Sequence, residues 1–185
     1  MDFAARVLAG ARFAAEAHRD QRRKRTGAPY VIHPLRVAGR IASVALPAGV
    51  NREDATLAAL LHDVLEDTPT PRDTLEQRFG AAVAGIVLEL TQDKRLPREE
   101  RVRIMVAHAG TLSPAARAVK LADRLDNLLE MGVMGEEFIR RYCGETRLLL
   151  DALRGGCPEL ETEIERVLAA YAARKDNAVD DAGAT

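Results

Sequence analysis

Tryptophan is absent from this chain of 185 residues, and phenylalanine and tyrosine together make up only 4% of it. With so few aromatics and so much Ala, Leu, Arg and Glu, the composition favours helices. Cysteine occurs twice, at Cys143 and Cys157. Two thiols so far apart exclude a Cys-based zinc site, and a reducing cytosol argues against a disulfide, so both read as ordinary thiols. A dominant charge is missing too: 27 basic and 28 acidic side chains leave a net charge of −1. No global field recruits nucleic acid or an anionic membrane, so any recognition of anions has to be local. No run of 18 apolar residues is present, and Arg6 and Arg12 interrupt what would be the hydrophobic region of a signal peptide in "MDFAARVLAGARF". The expected location is the cytoplasm.

Apolar residues make up 47% of the chain and charged residues 30%, as in a water-soluble globular protein. The length suits one domain that hides roughly two thirds of its unfolded surface. Apolar spacing and capping signals predict an all-α bundle of about eight helices, with no strand pattern of comparable strength. Asp2 caps a first helix burying Phe3, Val7, Ala11 and Ala14. The basic segment "QRRKRTGAPY" breaks the pattern, and Pro34 opens a second helix carrying Leu35, Ala38, Ile41 and Ala45. Asn51 with Asp54 forms a capping pair for the third. Thr70, Pro71 and Asp73 start a short helix ended by Gly80. Further helices follow on Val83 to Leu90, on Val102 to Gly110 and on Ser113 to Gly132, then on Glu136 to Arg154 and on Pro158 to Lys175. The domain is expected over 1–175, with a flexible tail over 176–185.

The chemistry is concentrated in "ALLHDVLEDT". On a continuous helix His62, Asp63, Glu66 and Asp67 fall within an arc of about 140°, opposite Leu57, Leu60, Leu61, Val64 and Leu65. A solvated face is the ordinary explanation of such a stripe, but solvated faces mix both signs of charge and this one has no Lys or Arg. Crowded carboxylates cost stability unless a cation or a substrate compensates them. In "VKLADRLDNLLEMG" the residues Lys120, Asp123, Arg124 and Asn127 share an arc of roughly 100° opposite Leu121, Ala122, Leu125 and Leu129. If the two polar faces meet, Asp123 reaches an ion held by His62 and Asp63.

The segments "RRKRTGAPYVIHP", "AALLHDVLEDT" and "AVKLADRLDNL", in that order, resemble the HD-domain hydrolase of RelA/SpoT homologues, specifically the stand-alone small alarmone hydrolases, from about Ala4 to about Leu150. Carried over by residue, the resemblance implies His33, His62, Asp63 and Asp123 as metal ligands and Glu66 and Asp67 as the catalytic acidic pair. The implied metal is Mn²⁺; Zn²⁺ and Fe²⁺ fit the same mixed nitrogen and oxygen donors. Without the resemblance His33 would read as a surface or capping residue. His18 reads as a helix-end residue facing carbonyls and His108 as a surface or partly buried neighbour of Gly110.

The implied activity is hydrolysis of the 3′-diphosphate of guanosine tetraphosphate and pentaphosphate (ppGpp and pppGpp), which releases pyrophosphate and turns down the stringent response. Arg22 to Arg25, four consecutive cations just before His33, suit a diphosphate clamp, and Lys94, Arg95 and Arg98 lie in a polar connection; a basic loop by itself is ordinarily solvated surface. Substrate contacts are expected from Arg23, Lys24, Lys94, Asn127 and Tyr142. Two alternatives stay open. One is a broader HD nucleotidase or phosphodiesterase, including one that takes adenine alarmones or NADPH. The other is an HD module that binds a nucleotide without turning it over.

Overall fold

Asn51 accepts a hydrogen bond from the Asp54 backbone N–H at 3.0 Å, and the helix it caps is the axis of the molecule. That helix, α3 (Arg52–Leu61), follows α1 (Phe3–Ala17) and α2 (Ile32–Ser43). The computed structural model describes residues 2–24 and 26–182, with side chains as far as 173. Within them α4 (Val64–Asp67), α5 (Arg72–Phe79), α6 (Ala81–Leu90), α7 (Arg98–His108), α8 (Pro114–Leu129), α9 (Glu136–Ala152) and α10 (Pro158–Ala182) complete an all-α bundle. Two 3₁₀ turns, Ala109–Thr111 and Met131–Val133, flank α8. The tail expected over 176–185 falls on residues whose side chains, and from 183 onward the backbone also, lie outside the described residues.

Every residue of α3 from Ala55 to Leu61 is buried, because α1, α2, α6 and α8 surround it. Leu57, Leu60 and Leu61 on α3, with Leu121, Leu125 and Leu128 on α8, are the largest side chains of this centre. Each contributes about 1.5–3 kcal/mol by leaving water. Arg52, at the start of α3, donates from Nη1 to the carbonyls of Ile41, Ala42 and Val44 at 2.9–3.0 Å. The last turn of α2 thereby finds the partners that its own helix cannot supply. Asp2 and Ser113 cap α1 and α8 as expected.

Three apolar assignments differ from expectation. Phe3 is 42% exposed and Leu35 45%, and Ala45 is exposed as well. Ala14, Ala38 and Ile41 are buried as expected, and Gly10 and Phe13 on α1 and Val37 on α2 join them, so the inward face of each helix is centred nearer these positions than on Phe3 and Leu35. The other difference lies in the HDVLED stretch, which is not one helix. His62 Nδ1 lies 2.7 Å from the Ala59 carbonyl, which on a continuous helix would accept from the Asp63 backbone N–H. The helix breaks at His62 and Asp63 and resumes as the short α4.

Before α2 the chain makes a tight loop. Arg23 and Ala28 pair through their backbones at 2.8 Å, and Gly27 adopts φ +70°, a left-handed conformation that glycine takes without strain. Tyr30 is thereby delivered to Asp63, just past the end of α3, and His33 to Asp123 and Asp126 within α8.

Candidate metal centre and cavity

His33 lies in the first turn of α2, His62 and Asp63 at the break between α3 and α4, and Asp123 in the middle of α8. One donor atom each from His33, His62 and Asp123 fall within 4.8 Å of one another, and all three residues are buried. His33 Nε2 is 3.2 Å from Asp123 Oδ1 and 3.7 Å from Asp63 Oδ2; His62 Nε2 is 3.1 Å from Asp63 Oδ2 and 3.9 Å from Asp123 Oδ1. The two polar helix faces therefore do meet.

A second layer of bonds fixes these side chains. Asp126 Oδ2 lies 2.8 Å from His33 Nδ1, and the Ala59 carbonyl backs His62 Nδ1. Tyr30 donates its hydroxyl to Asp63 Oδ2 at 2.6 Å. Asn127 donates from Nδ2 to Asp123 Oδ1 at 2.6 Å, and Lys120 Nζ lies 3.0 Å from Asp123 Oδ2. Both histidines thus spend Nδ1 on the scaffold and keep Nε2 for the group's interior. His62 Nε2 is buried without a hydrogen-bond partner. An orphaned imidazole nitrogen between two carboxylates is a feature that a divalent cation resolves, so these residues fit one.

The electrostatics agree. Burial opposes charge on His33, but its bonds to Asp123 and Asp126 and the field of Asp123 and Asp63 prevail and raise it to about 9. His62 rises for the same reason, chiefly through Asp63. Burial also acts against ionised Asp63 and Asp123, yet His62 holds Asp63, and Lys120 and His33 hold Asp123, well below the usual carboxylate range. The cluster attracts positive charge.

Beside it lies a cavity of about 190 Å³. Glu66, Asp67, Asp63 and Asp123 line it together with four cations: Arg98, Arg101, Lys120 and Arg124. Glu66 Oε2 accepts the Gln92 backbone N–H at 3.0 Å, while Oε1 has Lys94 and Arg101 each at 3.8 Å. Burial raises the Glu66 carboxyl above its ordinary value, and the Gln92 bond and Lys120 only partly offset it. Asp67 forms an ion pair with Lys94. Tyr142 also lines the cavity, with the Arg124 guanidinium 4.5 Å and the Arg98 guanidinium 5.6 Å from its ring centroid.

The expected substrate residues separate into two groups. Asn127 and Tyr142 line the cavity; Arg23, Lys24 and Lys94 are not in its wall. Arg23 is buried, donating twice to Glu130 at 2.7–2.9 Å and once to Asn127 Oδ1 at 2.9 Å, so it reaches the centre through Asn127 and Asp123. Lys24 is exposed. Four participants were not anticipated as part of the site. Tyr30, Asp126, Arg101 and Gln92 act through tertiary contacts that no local pattern announces, although Asp126 sits three residues after Asp123, the spacing of one helical turn. His18, expected to face carbonyls, is instead buried; its Nδ1 lies 2.9 Å from Gln21 Oε1 and its ring 4.9 Å from that of Tyr30. His108 is exposed, and the thiols of Cys143 and Cys157 are free and buried.

A family model described as HD domain matches residues 10–153. The human guanosine-3′,5′-bis(diphosphate) 3′-pyrophosphohydrolase MESH1 is 39% identical over 170 residues, 89% of this chain and 93% of that protein. A guanosine-3′,5′-bis(diphosphate) 3′-pyrophosphohydrolase of Aquifex aeolicus is 37% identical over 159 residues, 83% of this chain and 22% of that protein. Among solved structures, a metazoan ortholog of SpoT that hydrolyses ppGpp superposes with a TM-score of 0.82 at 35% identity, over 90% of this chain and 95% of the other.

Proposed function

This chain belongs to the HD-domain family, and from that premise we propose that it hydrolyses the 3′-diphosphate of guanosine 3′,5′-bis(diphosphate) and its pentaphosphate analogue, releasing pyrophosphate with GDP or GTP. One observation carries the reading beyond kinship. Two imidazoles and a carboxylate from α2, the α3–α4 break and α8 converge beside a half-buried glutamate, in a cavity that four cations also line. Metal, base and phosphate clamp are the parts that such a reaction needs.

We assign His33, His62, Asp63 and Asp123 to a divalent cation. Mn²⁺ suits their mixed donors, and Zn²⁺ and Fe²⁺ are its competitors. Such an ion, when bound, neutralises a phosphate oxygen and lowers the pKa of water. The chain does the rest. Glu66 Oε2 is held by Gln92, which leaves Oε1 to take a proton from the attacking water. A carboxyl raised by burial is a stronger base than a solvated one. Asp67 orients that water and keeps Lys94 beside Glu66. Arg98, Arg101, Lys120 and Arg124 neutralise the substrate's phosphates, and Arg98 is fixed for this by two bonds to Glu145 at 2.6–3.0 Å. Lys24 and Lys94 add charge from the two loops, and Arg23 acts through Asn127. Val102, Met105 and Leu149, with Tyr142, give the cavity an apolar surface that suits a nucleobase.

The experiment uses metal-stripped protein supplied with Mn²⁺ and guanosine 3′,5′-bis(diphosphate), assayed for pyrophosphate against orthophosphate. Mn²⁺-dependent pyrophosphate release, abolished by Asp63→Ala, is the expected result. Orthophosphate release from 5′-nucleotides would replace the reading with a broader nucleotidase, and tight binding without turnover with a sensing module.

A further inference from the structure

Asp126 is 1% exposed, on the face of α8 that packs against α2. Leu125 and Leu128, one and two positions away on the same helix, are wholly buried apolar residues. A carboxylate in such a place is strongly disfavoured by desolvation unless it is paired, and an apolar side chain would fill the volume without that cost. Its partner is His33 Nδ1 at 2.8 Å, itself on a residue only 1% exposed. The two imidazoles of the cluster are therefore backed differently: His62 by the neutral carbonyl of Ala59, and His33 by a full negative charge.

We propose that Asp126 is a positioning residue of the metal centre, accepting the Nδ1–H of His33 so that Nε2 presents its lone pair to the cation as the more basic of the two imidazole ligands. Carboxylates placed behind ligating histidines fix the tautomer and ring orientation and strengthen the donor, and removing one lowers metal affinity by about 10–100-fold. Asp126 touches neither substrate nor cation; it acts through His33. The inference rests on the assignment of His33 as a ligand. It adds a third carboxylate, after Asp63 and Asp123, whose charge bears on the His33 imidazole.

The test is made without nucleotide, so that its outcome is independent of which substrate the protein hydrolyses. Free Mn²⁺ is counted by electron paramagnetic resonance during titration of metal-stripped wild type and Asp126→Asn. The variant is expected to bind Mn²⁺ about 10–100-fold more weakly. A circular dichroism spectrum unchanged from wild type is expected beside that loss, which general structural damage would not leave intact. Unchanged Mn²⁺ affinity in a variant with the wild-type circular dichroism spectrum would overturn the proposal. Should Asp126→Asn fail to fold, the wild type itself decides. Long-range ¹H–¹⁵N correlation of the Zn²⁺-loaded protein is expected to place the His33 proton on Nδ1; a proton on Nε2 would overturn the role.

Discussion

Glu66 carries the main conflict between stability and function at the scale of single residues. Its carboxyl sits above the ordinary 4.5 in the fold because burial disfavours the charged form. The folded state thus holds this proton more tightly than the unfolded chain does. The stability associated with it is present below 4.5 and lost as pH rises through the raised value. Glu66→Gln removes that loss, so in the metal-free state the variant should melt above wild type at neutral pH, the advantage fading as pH falls to 4.5. Calorimetric scans across pH check this. Turnover should fall by about 10²–10⁴-fold while Mn²⁺ affinity is kept; loss of metal in that variant would make Glu66 a ligand instead.

At the scale of elements, the break between α3 and α4 shows where helical periodicity misleads. The composition of the stretch pointed to one amphipathic helix, and the apolar side behaves accordingly, with Leu57, Leu60, Leu61 and Val64 buried. The polar side does not, because His62 spends its own ring nitrogen on the Ala59 carbonyl and turns the chain. A comparable constraint governs the turn from α9 to α10. A Cβ on Gly156 would lie 2.9 Å from the Leu153 carbonyl oxygen and 3.1 Å from Arg117 Cβ on α8. Since that carbonyl is backbone and cannot swing away, Gly156→Ala should destabilise the fold by about 1–3 kcal/mol. Urea unfolding with an unchanged m-value is the measurement.

Across the whole molecule, the candidate metal centre joins α2, the α3–α4 break and α8, elements that the core already packs together. A cation there links segments distant in the chain and should stabilise the folded state alone. At a free Mn²⁺ concentration 100 times its dissociation constant the gain should be about 2.7 kcal/mol, and Asp63→Ala should forfeit it. Thermal melts with Mn²⁺ and with a chelator read this directly. Among the described residues no helix is long and apolar enough to cross a membrane.

Local chemistry alone was enough for the helical class, the caps at Asp2, Asn51 and Ser113, and the candidate roles of His62, Asp63 and Asp123, since spacing, capping and side-chain type act over a few residues. His33 was legible only through its resemblance to a known family, because nothing beside it in the chain distinguishes a ligand from a capping histidine. The carboxylate behind His33, the hydroxyl on Asp63 and the bond from Gln92 to Glu66 join residues separated by 93, 33 and 26 positions. Bonds of that reach depend on how helices pack, which burial of the whole apolar core decides and no window of sequence contains.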